Sequence, residues 1–370
     1  MAPPGAARFA LTHRTSYTFD RPVGLAPHEI RLRPAPHARA SIASCSLAVE
    51  PATRTLHWQQ DAYANWVARL TFPARASALV LRVDLAGALV DVNPFDFFVE
   101  PDAAAFPFAY TPAVRHALGP YLGDGTPDSR HSPDGGHASD SRHTSDSRHT
   151  SDSRHTSDSL QTSDSRHTSD SRHAPNSRHS RESGTPVTSA ADEPIDDADS
   201  PRLSAWVHRF RETIAPGEQT VAMLVRINQR IREDVDYRTR DEAGVQSADA
   251  TLASGIGSCR DSAWLLIQVL RGLGIGARFV SGYLVELANG AGTRDAGSLH
   301  AWAEAFVPGA GWIGLDPTSG LLAASGHIPL ACAADPQMAA PVIGTTDVCN
   351  VTFDTSIDVR RVGGADSAVR

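Results

Sequence analysis

The stretch Gly255-Ile256-Gly257-Ser258-Cys259-Arg260-Asp261-Ser262-Ala263-Trp264-Leu265-Leu266 decides how this chain is read. Ala263, Leu266, Ile267 and Leu270 recur at i, i+3, i+4 and i+7, the spacing of one buried helix face. Gly272 and Gly274 end the pattern. The helix therefore starts after Ser258 and carries Cys259 in its first turn. Unpaired backbone N–H groups and the positive end of the helix dipole favour an anion there, and so a thiolate. The glycines before the cysteine allow a substrate close to the sulfur, and the Cys259 N–H is free to donate to an oxyanion. A cysteine in an apolar helix is, taken alone, more often a small buried hydrophobe. The glycine-rich approach and the residues downstream reverse that balance.

Downstream, Phe279, Val280, Tyr283 and Val285 mark a strand over residues 278–287, and residues 298–307 read as a second strand. Pro308-Gly309-Ala310-Gly311 is a turn, and residues 312–315 form a third strand. If Phe306 faces Trp312 in this hairpin, Asp316 lies opposite Trp302, and His300 and Asp316 become diagonal neighbours on one face. A slip of one residue would separate them onto opposite faces, so the spacing permits the pair without requiring it. The chemistry assigns roles: His300 takes the Cys259 proton and later protonates a leaving amine, and Asp316 accepts from the other imidazole nitrogen. Candidate catalytic residues are thus Cys259, His300 and Asp316. His327 is a rival base. Asp261 is a rival acid, although its place two residues after the cysteine suits support of the helix start. Glu304 shares the face of His300, and Trp264, Trp302 and Trp312 fit a core better than a substrate wall.

The rest of the 370-residue chain sets bounds. Hydrophobic residues are 41% and charged residues 21%, values of a soluble globular protein. No apolar run of about 18 residues predicts a membrane span, and the first residues lack the pattern of a secretory signal. The net charge of −8, with no basic patch, argues against nucleic acid as a partner. Cys45, Cys259, Cys332 and Cys349 form no CxxC pair, so a structural zinc site is not expected, and a cytoplasmic chain with reduced thiols is. Every basic side chain other than histidine is arginine. A GC-rich genome accounts for that; the sharper reading is an enzyme that joins acyl groups to amines and offers no lysine of its own.

Four segments are expected. Residues 1–122 alternate apolar and polar positions, as in Phe9, Leu11, Tyr17 and Phe19, and suggest a β-sandwich or similar all-β unit. Residues 123–200 contain the hexad Ser-Asp-Ser-Arg-His-Thr, repeated from Ser139 through His173. With no apolar residue to line a core, it reads as a disordered insertion. It holds half of the 16 histidines, so histidine content says little about the active site. Residues 201–345 form the second globular unit, with helical spacing at Leu203, Trp206, Val207 and Phe210 and again at Val221, Leu224, Val225 and Ile231. Residues 346–370 are left as a C-terminal tail.

Taken together, Gly244-Val-Gln-Ser through Gly-Ser-Cys259-Arg-Asp, Ala277-Arg-Phe-Val-Ser-Gly-Tyr, Leu299-His300-Ala-Trp-Ala-Glu and Gly-Trp-Ile-Gly-Leu-Asp316-Pro-Thr resemble the bacterial transglutaminase-like superfamily. Residues 1–122 resemble the β-rich region that precedes this core in bacterial members. The resemblance implies an α+β fold: a papain-like transglutaminase core, its cysteine helix packed on an antiparallel sheet, behind an all-β N-terminal domain. It implies Cys259 as nucleophile, His300 as base and Asp316 as its partner, and a protein or peptide substrate attacked to form an acyl-enzyme. Relatives resolve that intermediate with an amine or with water. No EF-hand loop is present, so neither metal nor cofactor is expected. A membrane partner is not expected either.

Overall fold

The computed structural model describes residues 6–123, 182–183, 200–240, 242–288 and 294–363. The hexad repeats lie outside the described residues. In chain order the elements begin with strands β1 (Ala7–Val23), β2 (His28–Ile30), β3 (Ser41–Glu50), β4 (Thr55–Gln60), β5 (Trp66–Thr71) and β6 (Ala76–Leu89). Helix α1 (Pro112–Ala117) and the short strand β7 (Glu182–Ser183) follow. Next come α2 (Pro201–Glu212), α3 (Thr220–Asp234), β8 (Asp236–Tyr237), α4 (Ala248–Ser254), β9 (Ile256–Gly257) and α5 (Cys259–Gly272). The chain ends with β10 (Ala277–Glu286), β11 (Ala296–Val307), β12 (Gly311–Asp316), β13 (Leu321–Leu322), β14 (His327–Ala333), β15 (Val342–Ile343) and β16 (Val351–Arg361). The class is α+β, as expected. Among the described residues no helix is long and apolar enough to cross a membrane.

A central antiparallel sheet of order β13-β12-β11-β10-β14 carries the fold. Helix α5 packs on it because Ala301, Ala303 and Ala305 of β11 present small buried side chains to Leu266, Ile267 and Leu270. Alternating alanines let the helix sit close, and the large side chains of the helix fill the layer. Trp206, Val207 and Phe210 of α2 and Met223, Leu224 and Ile227 of α3 complete this core. A second core buries Tyr283, Val285, Ile328 and Leu330 of the central sheet with Phe9, Leu11, Leu81 and Leu85 of the N-terminal strands.

The N-terminal strands form two further sheets, β3-β6-β1-β16-β7 and β15-β2-β5-β4. Both recruit strands from the far end of the sequence. Residues 346–370, expected as a tail, supply β16, which pairs with β1 from Phe9 opposite Arg361 to Phe19 opposite Val351. Val351, Phe353, Ile357 and Val359 alternate with polar residues, which suits a half-buried strand. Residues 1–126 and 179–370 accordingly belong to one compact unit; residues 127–178, the other unit, lie outside the described residues.

Candidate active site

Two local devices fix the cysteine. Helix α4 ends at Gly255 in the left-handed conformation, φ +63°, which turns the chain into β9 and toward α5. Asp261 then anchors the start of α5. Its carboxylate accepts the Ser258 N–H and hydroxyl, each at 2.8 Å, and the Gln246 N–H at 2.7 Å. The Arg240 guanidinium lies 3.0 Å from the same group. Burial pushes this carboxyl up, but the Arg240 contact and the three N–H and O–H donors outweigh it and hold Asp261 below the usual range. Asp261 is fully committed to structure. Cys259 sits half-buried at the first position of the helix, as the sequence predicts.

The hairpin adopts the register that joins the other two residues. Phe306 pairs with Trp312 and Ala303 with Leu315, so Asp316 at the end of β12 comes level with Trp302. His300 Nε2 lies 3.2 Å from Asp316 Oδ1, with both side chains under 10% exposed. The contact is close enough for charge pairing, although His300 Nε2 makes no well-aligned hydrogen bond. The Cys259 side chain is near enough to the same imidazole to favour its charged form. Burial alone pulls His300 down; the contacts with Asp316 and Cys259 outweigh it and hold the imidazole up at about 10. Burial likewise pushes Asp316 up, and its contacts with His300 and His327 pull it well below the usual range. Each contact thus favours the charged form of its partner, imidazolium on His300 and carboxylate on Asp316.

Sequence reasoning did not foresee how completely Asp316 is tied. The Thr318 N–H donates to Oδ1 at 2.9 Å, and the Ser319 hydroxyl donates to Oδ2 at 2.9 Å. The signal was present in Asp316-Pro317-Thr318-Ser319, since an aspartate before such residues bonds the backbone two positions on. His327, weighed as a rival base, lies with Nε2 3.3 Å from Asp316 Oδ2. Glu304 does not join the triad. It is buried and ion-paired to Arg278 at 2.6 Å. Trp264 and Trp302 are core residues. Gly282, paired with His300 across β10 and β11, is a close approach: a Cβ there would lie 2.5 Å from the Trp302 ring.

Two groups bring possible metal ligands within 4.8 Å of one another: His300–Asp316–His327, and His37–Glu304–Cys332. In the second, Arg278 already neutralises Glu304, so a divalent ion would compete with a guanidinium. Burial, with Glu304 adding to it, pushes the Cys332 thiol well above its usual range. All four cysteines are unpaired.

Comparison with known proteins agrees with this layout. Residues 9–86 match the model of the bacterial transglutaminase-like N-terminal region, and residues 208–317 match that of the transglutaminase-like superfamily. Uncharacterized proteins of Mycobacterium bovis and Mycobacterium tuberculosis are 29% identical over 189 residues, 49% of this chain and 60% of theirs. The chain thus matches less than two thirds of the length of these relatives. A solved structure from Cytophaga hutchinsonii, described as a "Putative Cysteine Protease", superposes with a TM-score of 0.58 at 16% identity, covering 98% of this chain and 93% of that one. That likeness is one of fold. The two matched segments occur in order, and Cys259, His300 and Asp316 all lie within the second, the match to the transglutaminase-like superfamily.

Proposed function

We propose that the chain is a cysteine-dependent enzyme that attacks a glutamine side chain, a peptide bond or a related amide and passes through a thioester acyl-enzyme. The observation that carries this reading is His300 set between Cys259 and Asp316, with its imidazole held charged at neutral pH. With Nε2 turned to Asp316, Nδ1 is the nitrogen that serves the sulfur. The proton of the thiol then resides on His300, and the Cys259 thiolate adds to the carbonyl carbon. Negative charge develops on the carbonyl oxygen at the start of α5, where the first N–H groups of the helix lack intrahelical acceptors. His300 gives its proton to the leaving nitrogen, and the C–N bond breaks to leave the thioester. Water or a primary amine then takes the acyl group, yielding hydrolysis or transamidation.

The test combines labelling with trapping. Iodoacetamide is expected to label Cys259 selectively, and an activated acyl ester is expected to leave an acyl adduct on it by mass spectrometry. Methylamine competing with water during breakdown of that adduct measures the partition between the two acceptors. Cys259→Ala is expected to abolish both modification and turnover. Full turnover by that variant would sink the reading, and an unmodified Cys259 would favour a non-catalytic binding module.

A further inference from the structure

We infer that His327 is a positioning residue for Asp316, a neutral imidazole of fixed tautomer whose Nε2–H restrains one carboxylate oxygen while the other faces His300. The inference deepens the proposed function and rests on it. His327 Nδ1 accepts the Ala324 N–H at 3.2 Å. A nitrogen that accepts carries no proton, so in the neutral ring the hydrogen is on Nε2, directed at Asp316 Oδ2 3.3 Å away. Both ring nitrogens are thereby committed. None is left to take a proton from Cys259, which removes His327 as a rival base.

The placement is set by the sheet. β10 is flanked by β11 and β14, and it pairs Gly282 with His300 on one side and Leu284 with His327 on the other. The two imidazole centroids lie 5.9 Å apart. The Trp302 ring separates their roles. It packs edge-on against His327 at 5.2 Å and near-parallel to His300 at 6.3 Å. Asp316, 2% exposed, thus holds four contacts: His300 and the Thr318 N–H at Oδ1, Ser319 and His327 at Oδ2. A carboxylate gripped at both oxygens does not rotate, so the imidazolium it faces stays directed at the sulfur. Without the His327 donor, Asp316 would hold the imidazolium more strongly and draw it off the thiolate.

The experiment measures Cys259 alkylation by iodoacetamide against pH, in which the sulfur displaces iodide. In the wild type the rate rises at low pH as the ion pair forms, and again at high pH as His300 loses its proton. His327→Phe keeps a ring against Trp302 and removes the donor. It is expected to lower the rate at pH 6 about tenfold, the usual weight of one hydrogen bond to a charged group, and to move both steps to higher pH. His327→Gln, whose amide N–H reaches the same oxygen, is expected to restore the profile. An unchanged profile in His327→Phe overturns the inference. So does a low-pH step that survives in His300→Gln and vanishes in His327→Phe. Nitrogen NMR of the wild type gives a reading that needs no variant: the Nε2–H tautomer is expected at pH 7, and an Nδ1–H or doubly protonated ring overturns the inference. If Cys259 instead behaves as an ordinary thiol in the wild type, the proposed function fails, while the tautomer still judges His327.

Discussion

His13 and His300 are both buried on this scaffold and carry different charge states. His13, on β1 and 2% exposed, meets only hydroxyls: Tyr283 Oη at 2.9 Å from Nδ1 and Thr15 Oγ1 at 2.8 Å from Nε2. Burial pulls it down to about 4. The His300 side chain, 7% exposed, meets a carboxylate and a thiol and is held up at about 10. Desolvation acts on both in the same direction. What differs is whether the neighbouring groups repay it with charge. One imidazole ties two sheets together as a neutral bridge; the other is ready to donate a proton.

Asp316→Asn tests that contrast most severely. It leaves His300 with a neutral partner, the situation of His13, so burial should prevail and the imidazolium should be lost. A fall of about 10³–10⁴ in the rate of acyl-enzyme formation is expected, by analogy with the same change in a serine protease triad. Single-turnover acylation measures it, and a loss below tenfold would mean that Asp316 does not govern His300.

The same contrast gives the two histidines opposite effects on stability. The folded pKa of His13, about 4, lies below the ordinary 6.5, so as pH falls the unfolded chain takes up this proton first. The stability His13 provides is whole above pH 6.5 and is lost as pH falls toward about 4, on the order of 3 kcal/mol across the window. His300 runs the other way: with a folded value of about 10, its contribution is whole below pH 6.5 and is lost as pH rises through 10. Urea unfolding of the wild type and His13→Gln between pH 7 and pH 4 separates them. The wild type should weaken more steeply, and equal slopes would remove His13 as the acid-sensitive bridge.

Much of the candidate site was legible in the sequence because its determinants are local. Helix α5 begins and ends within its own stretch, where Ser258, Asp261 and Gly272 are near neighbours of the cysteine. The hairpin register followed from a short turn whose Gly309 and Gly311 adopt positive φ. The partners of β16 and β14 were not legible. β16 finds β1 from the opposite end of the chain, and its alternation is diluted because most of its side chains remain exposed or half-buried. His327 is an ordinary residue in Gly326-His327-Ile328-Pro329 until β10 brings it beside His300. Likewise, nothing near His13 in the sequence announces Tyr283, which reaches it from the central sheet.

Tyr283→Phe is the mildest change that separates the two sites. Tyr283 is fully buried, and its ring packs edge-on against His13 at a centroid distance of 5.6 Å, so the phenyl ring keeps the packing and loses only the hydroxyl. His13 Nδ1 is then left without its partner in a dry layer. The expected cost is about 1–2 kcal/mol of unfolding free energy, the usual weight of a neutral buried hydrogen bond. Because His13 is neutral, no charge is stranded, and the loss should stay well short of that from breaking an ion pair. Denaturant unfolding measures the cost, and acyl-enzyme formation by the folded variant should match the wild type. A large loss of acylation at unchanged stability would show that the β layer reaches into the chemistry, and the division between a bridging and a proton-donating histidine would fail.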